Sequence, residues 1–444
     1  MKVRVNAMSD LRSFLEELRK NNELLEIKDP VSTRYEAAFL MKKHDTGPAL
    51  LFEKVQGYRN KLVSGICGSR KRISIALGVK ENEISDHLVN SKTNLSNPKV
   101  SKDGPVKEVQ ERTRLDQIPI LRHYEKDGGA YITSGIVSAK SLDDKVENVS
   151  IHRMMVVDRD HLSIRIVPRH LYHLCQMARE QGCKSLDIGI AIGVHPAITL
   201  AASSPLPFGV SEYKLASALM RQGLKLTTCE HVDAYVPSDT ELVLEGKILL
   251  EKQVSEGPLV DITGTYDIVR KQPLVKVVGI MHRKDYLYQA LLPGGNEHKL
   301  LMGLPFESKI LEGVRAVVPS VKGVWLTLGG CCWLHAVISI EKQTEGDGKN
   351  ALLAAFASHP SLKHAVVVDS DIDIEKPQEV EWAIATRFQG DKDLIVIPNA
   401  RGSTLDPSSN QELALTTKVG IDATRSLLKP KEKFLKAAIP GAKM

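Results

Sequence analysis

Between residues 105 and 303 seven segments carry the side chains that favour extended backbone: YITSGIVSAK, VSIHRMMVVD, LSIRIV, LDIGIAIGV, ELVLEGKILL, ITGTYDIV and LVKVVGIMHR. One helical pattern, SEYKLASALMRQG, is inserted among them. A single helix cannot cover that many strands, so the strands must bury their apolar faces against one another, as a barrel or a sandwich. The flanks read differently. Before residue 104, Leu11, Phe14, Leu15 and Leu18 recur at helical spacing behind a capping Ser9, with Asn22 as a stop. The segments ALLFEKV and KLVSGICGS and the helical ISIALGV follow, and the polar stretch NSKTNLSNPKVSKDGPVKE reads as a linker. After residue 303 the strand HAVVVDSDIDI, the helix EVEWAIATRF and the strand DLIVIP suggest a βαβ-like unit. The expected fold class is therefore α+β: an α/β region over 1–103, a strand-rich domain over 104–303 and an α/β domain over 304–444. The 444 residues are too many for one ordinary core.

Composition removes several functions. Sixty basic and 54 acidic residues leave a net charge of +6 that is spread along the chain, which is not the footprint of a nucleic-acid binder. The most apolar run, IGIAIGVHPAITLAA, is broken by His195 and Pro196 and is too short to span a bilayer. The N-terminal MKVRVNAMSDLRSFLEEL lacks the apolar core and cleavage site of a secretory signal, so a cytoplasmic location is expected. Six cysteines form no C-x-x-C pair, which predicts reduced thiols rather than a zinc ribbon. GDGKN and GIAIG match neither a Walker loop nor a dinucleotide fingerprint.

Four segments carry polar groups where burial would be costly without partners. In ENVSIHRMMV, Asn148 offers a carbonyl oxygen to a hard cation and Arg153 a fork for a carboxylate. In IVPRHLYHL, Pro168 ends a strand and His170 stands at the start of a helix, where it suits either a metal or water. In PLPFGVSEYKLASALM, Ser211 and Glu212 occupy a helix start, a place the helix dipole alone favours for a carboxylate. In VSEGPLVDITGTY, Glu256 and Asp261 flank a Gly-Pro turn, and paired carboxylates beside an arginine suit proton transfer as well as a solvated loop.

Taken in chain order, DLRSFLEELRKNNELLEI, GPALLFEKVQGY, GSRKRISIALGV, NVSIHRMMVVD, RHLYHL, IGVHPAI, SEYKLASAL, EGPLVDITGTYD, HRKDYLYQALLPGGNEH, GGCCWLHAVISI and VVVDSDIDI with EVEWAIATR resemble the UbiD-type decarboxylases, which use prenylated FMN. The resemblance spans nearly the whole chain. It implies a split β-barrel flavin-binding domain between the small N-terminal region and a C-terminal domain used in homo-oligomer contacts. It places the metal ligands on Asn148, His170 and Glu212, where Mn²⁺ (or Mg²⁺), with K⁺ nearby, binds the flavin phosphate. A mixed oxygen and imidazole set of this kind suits those ions. Ser150, Ile151, His152, Arg153, Arg169, His282, Arg283 and Lys363 are implied cofactor contacts, with Tyr286 lining the same pocket. Arg153, Glu256 and Asp261 match the family's catalytic Glu-Arg-Glu network, with aspartate in place of the second glutamate. The implied partners are a flavin prenyltransferase that supplies the cofactor and an unsaturated carboxylic acid as substrate, with no nucleic acid and no membrane.

Some members consume trans-anhydromevalonate 5-phosphate, giving isopentenyl phosphate in a modified mevalonate pathway, and others consume 4-hydroxybenzoate-type acids. Arg165, Arg169 and Lys214 near the site segments, and an aromatic content of only 5%, favour the phosphorylated acid. A cofactor-free binding subunit is the reading from another class, and the full set of metal and acid positions speaks against it.

Overall fold

The computed structural model describes residues 8–437. It divides into two compact units, Met1–Pro305 and Phe306–Met444. The first is built on a closed barrel of six strands in the order Leu242–Glu256, Ser185–Ile192, Tyr131–Lys140, Glu147–Val156, His161–Ile164 and Arg270–His282. The last pairs back onto the first, and every neighbour is antiparallel. Closure leaves these six strands no free edge. Val137, Ile188, Ile190, Leu244, Ile248 and Val275 are fully buried in the core that the barrel shares with the N-terminal segments. The arrangement follows from the six strand-type segments read above.

The seventh, ITGTYDIV, is not a barrel strand. Asp261 to Thr265 form a tight turn in which Gly264 adopts φ +77°, and only Tyr266–Asp267 pair, with Leu259–Val260. The β-branched residues there serve a turn that the Gly264 backbone requires.

Ahead of the barrel, a sheet of Leu24–Ile27, Ala49–Phe52 and Leu62–Ser64 is completed by Tyr288–Gln289 from far along the chain. Helix Leu11–Lys20 buries Leu11, Phe14, Leu15 and Leu18 as expected, but its cap is Asp10 rather than Ser9. The Asp10 carboxylate accepts the Ser13 N–H at 2.8 Å while the Ser13 hydroxyl oxygen accepts the Asp10 N–H, and this reciprocal pair outcompetes a lone serine. The expected linker is structured in part: a helix runs through to Thr93, and Lys99–Ser101 pairs in parallel with Lys225–Thr228.

The second unit holds a five-stranded sheet in the order Val321–Leu326, His335–Ile340, His364–Asp369, Leu415–Ala423, Leu394–Arg401. The βαβ arrangement joins His335–Ile340 to its parallel neighbour His364–Asp369 through helix Asp347–Ser358. The strand read as its second half, Leu394–Arg401, lies at the sheet edge and pairs antiparallel with Leu415–Ala423. No helix of the described residues is long and apolar enough to cross a membrane.

Candidate active site

The strand Glu147–Val156 organises the site because successive residues point to opposite faces. Asn148, Ser150 and His152 share one face, and Val149, Ile151 and Arg153 the other. Asn148 and Arg153 are separated by about 17 Å of strand rise.

On the first face, Glu212 opens helix Glu212–Leu219, whose cap is Ser211. Its buried carboxylate accepts the Val149 N–H at 2.7 Å and the Asn148 amide at 3.2 Å. His170, the first residue of helix His170–Glu180, has its Nδ1 3.7 Å from the same carboxylate. The three expected ligands therefore converge from three segments. Glu147, which opens the strand with the parity of Val149, reaches the start of the Glu212–Leu219 helix: one oxygen accepts the Ser211 hydroxyl at 2.5 Å, and the other is buried without a hydrogen bond. Burial raises the proton affinity of Glu147, the Ser211 bond opposes this, and the nearby Glu212 charge adds to the rise.

Hydrogen-bond direction tests whether these donors fit a cation. The His152 Nδ1 faces the Arg165 carbonyl at 2.8 Å, so it carries the proton, and burial holds the ring neutral with a pKa of about 4. Its Nε2 is then an acceptor and takes the Ser150 hydroxyl proton at 2.9 Å. Ser150 has one proton, so Asn148 Oδ1, 3.0 Å from the same hydroxyl, is left as a free acceptor. A free amide oxygen, the Glu212 carboxylate and an imidazole form a hard donor set that suits a divalent cation. Arg169 caps the His170 helix with an exposed side chain, close enough to His152 to depress its proton affinity further.

On the second face, Arg153 is surrounded by carboxylates. Its Nε and Nη2 grip Glu256 at 3.0 Å each, Nη1 donates to Asp261 at 3.0 Å, and Nη2 donates to Asp267 at 2.9 Å. Burial works against the guanidinium charge, but Glu256, then Asp261 and Asp267, outweigh it and raise the Arg153 pKa. Four of the five N–H groups are thereby committed, which leaves one on Nη1. The fork expected for a substrate carboxylate is spent on Glu256, so a substrate meets Arg153 end-on unless Asp261 moves aside. Side-chain exposure is 0% for Glu256, 5% for Asp267 and 17% for Asp261. Asp261 is thus the carboxyl best placed to exchange a proton with a ligand.

Sequence reading missed three members of this cluster. Asp267 bridges Arg153 to Arg270 at 2.5 Å, and these ion pairs outweigh its burial and keep its pKa low. Its signal was its place six residues beyond Asp261 in the same motif. Tyr131 donates its hydroxyl proton to Glu256 at 3.1 Å and accepts the Gly257 N–H at 3.0 Å. His298 accepts the Gly294 N–H on Nδ1 at 3.1 Å. Burial lowers its pKa against the pull of Asp261, so the ring is neutral and carries its proton on Nε2.

Other expected contacts fall elsewhere. His282 pairs with Leu242, at the end of the long hairpin opposite the Glu256–Arg270 pair. Arg283 is committed to Asp10 at 2.7 Å and Glu241 at 3.3 Å, and Tyr286 stacks edge-on with His282. In the second unit Lys363 forms an ion pair with Asp406 at 2.8 Å and also donates to Ser408.

Comparison with known proteins fixes the lineage of this arrangement. The 3-octaprenyl-4-hydroxybenzoate carboxy-lyase models match along the chain: the N-terminal domain at residues 15–92, the Rift-related domain at 98–296 and the C-terminal domain at 299–423. The chain belongs to the UbiD family of carboxy-lyases. Among its relatives, the anhydromevalonate phosphate decarboxylase of Methanothermobacter thermautotrophicus is 46% identical over 96% of this chain and 98% of that protein. That of Methanocaldococcus jannaschii is 47% identical over 93% and 97%. Among solved structures, the UbiD-class enzyme HmfF of Pelotomaculum thermopropionicum in complex with FMN superimposes with a TM-score of 0.95 at 42% identity, covering 97% of this chain and 98% of that one. An evolved dimeric form of HmfF in complex with prFMN gives 0.91 at 39%, covering 98% and 97%. Arg153, Glu256 and Asp261 thus form an ion-paired cluster within a UbiD-family fold.

Proposed function

We propose that this enzyme decarboxylates trans-anhydromevalonate 5-phosphate to isopentenyl phosphate with prenylated FMN as cofactor. The observation that carries the reading is 46% identity across 98% of a relative bearing that activity in its name. The hard donor set of Asn148, His170 and Glu212 would hold Mn²⁺ or Mg²⁺, with K⁺ nearby, against the flavin phosphate, and the bond from the Asn148 amide to Glu212 orients Asn148 for it. When bound, the prenylated flavin supplies the electrophilic centre that takes up the electrons released as carbon dioxide leaves.

The chain's own groups manage charge and protons. The remaining Nη1 N–H of Arg153 meets the substrate carboxylate, and Glu256 fixes the guanidinium plane through two parallel bonds. Decarboxylation exchanges carbon dioxide for one proton on the vacated carbon, and Asp261, the most exposed acid of the cluster, delivers it and regains another from solvent. A flavin prenyltransferase supplies the cofactor, and the enzyme acts in the cytoplasm as a homo-oligomer. Carbon dioxide release is the test, using protein co-expressed with a flavin prenyltransferase and given the phosphorylated acid and 4-hydroxybenzoate side by side. Turnover of the first with little of the second is expected. Turnover of the aromatic acid alone would overturn the substrate and leave the family in place.

A further inference from the structure

Glu256 is the last residue of the strand Leu242–Glu256, and Gly257 and Pro258 follow it directly. The segment Asp127–Tyr131 holds this strand end through three hydrogen bonds. The Gly128 N–H donates to the Pro258 carbonyl at 2.8 Å, and a Cβ on Gly128 would stand 2.2 Å from the Gly257 oxygen, so only glycine lets the two backbones pass this closely. The Tyr131 hydroxyl makes the other two: it accepts the Gly257 N–H at 3.0 Å and donates its own proton to Glu256 Oε1 at 3.1 Å. The segment is itself pinned, because Asp127 Oδ2 accepts the N–H groups of His123 and Tyr124 at 3.1 and 2.8 Å and Arg122 donates to the Asp127 carbonyl at 2.7 Å. Tyr131 pairs with Met155, two residues beyond Arg153, so its phenol projects to the Arg153 face of that strand. It is fully buried, and burial, followed by the Glu256 charge, pushes the phenol pKa up, so the hydroxyl keeps the proton it donates.

We infer that Tyr131 is a positioning residue of the decarboxylation: through Glu256 it sets the plane in which Arg153 presents its remaining Nη1 N–H to the substrate carboxylate. The inference rests on the roles proposed for Arg153 and Glu256 and adds the group that makes them rigid. The two parallel bonds from Nε and Nη2 fix Glu256 and Arg153 relative to each other, but they leave the pair free to turn together within the barrel. Asp267 opposes that turn at the arginine end, through Nη2. Tyr131 opposes it at the carboxylate end, where a chain of hydrogen bonds runs from the Gly257 backbone through the phenol to Oε1 and on to Arg153 Nε. Without the phenol, Glu256 would be oriented by the same guanidinium that it has to orient.

The test is a double-mutant cycle of Tyr131→Phe and Glu256→Gln in cofactor-loaded protein, with the acid that the wild type turns over and with rates normalised to bound flavin. Tyr131→Phe removes one oxygen and keeps the ring in its place in the core. A hydrogen bond to a charged group corresponds to roughly 10- to 150-fold. Tyr131→Phe is therefore expected to lose about that factor in kcat, with KM nearly unchanged because every charge of the cluster remains. In the Glu256→Gln background the phenol has no carboxylate left to position, so the same substitution should change kcat by no more than about twofold. A role in packing alone would cost the same factor in both backgrounds. That result, no loss with Glu256 intact, or a Tyr131→Phe protein that neither folds nor retains flavin, would overturn the role of Tyr131 while the reading of Arg153 stands. Full activity of Glu256→Gln would overturn both.

Discussion

The two faces of the strand Glu147–Val156 solve opposite electrostatic problems. Around Arg153 the protein supplies both signs of charge: two arginines and three carboxylates interlock through bonds of 2.5–3.0 Å. Around Asn148 the carboxylate of Glu212 is buried and one oxygen of the half-buried Glu147 is enclosed, yet among the described residues no lysine or arginine forms an ion pair with either. Buried charge is tolerated only when it is paired or coordinated. The first face is a self-sufficient acid–base device, whereas the second has the donors of a cation site. The polar load in ENVSIHRMMV thus serves two tasks that the pleat keeps on separate sides.

The sharpest way to break this comparison is at Asp261. If the Arg153 face handles the proton, Asp261→Asn should lower turnover by roughly the 10²–10⁴ typical of a lost general acid, with flavin absorbance unchanged. Single-turnover carbon dioxide release against flavin content separates the two effects. Unchanged turnover would transfer the proton to Glu256 or His298.

A smaller effect is expected on the other face. Glu212→Gln removes a carboxylate from the donor set and should weaken divalent-cation affinity by about 10- to 100-fold. Isothermal titration of the cofactor-free protein with Mn²⁺ reads this directly. Activity of the loaded variant should return in part at high metal concentration, whereas that of Asp261→Asn should not. If metal restored Asp261→Asn as well, the two faces would not be functionally distinct.

How much of this was visible in the sequence depends on how local each signal is. Six barrel strands were legible because β-branched residues and strand length act within each segment, and Asn148 and Arg153 stood out because polar groups interrupt an apolar strand. The pairing of Leu242–Glu256 with Arg270–His282 that closes the barrel joins segments through tertiary register, which no local pattern encodes. Leu415–Ala423 went unread because LTTKVGIDA mixes lysine, glycine and aspartate into a central strand, where only its neighbours on both sides stabilise it. Likewise, Tyr131 reads as an ordinary strand aromatic until folding puts its hydroxyl on Glu256.

The smallest expected effect concerns stability, and it separates paired charge from a donor set. Asp267 has its carboxyl pKa held low: burial acts to raise it, but the bonds and charges of Arg270 and Arg153 prevail. A carboxylate whose folded pKa lies below its unfolded value of about 3.9 stabilises the fold fully above that value. The contribution is lost as pH falls through the folded pKa, when the carboxyl takes a proton and the arginines lose their counter-charge. Asp267→Asn should therefore be less stable than wild type near neutral pH, by roughly 1–3 kcal/mol for one charged hydrogen-bonded partner. Arg153 keeps Glu256 and Asp261 in this variant, which holds the loss below that of an isolated buried pair. The gap should narrow steadily below about pH 4 as the wild-type carboxyl protonates. Denaturant midpoints measured from about pH 7 down to pH 3 give the comparison. A gap that stayed constant with pH would mean that Asp267 contributes packing and hydrogen bonds rather than charge, and the Arg153 face would then balance its arginines with Glu256 and Asp261 alone.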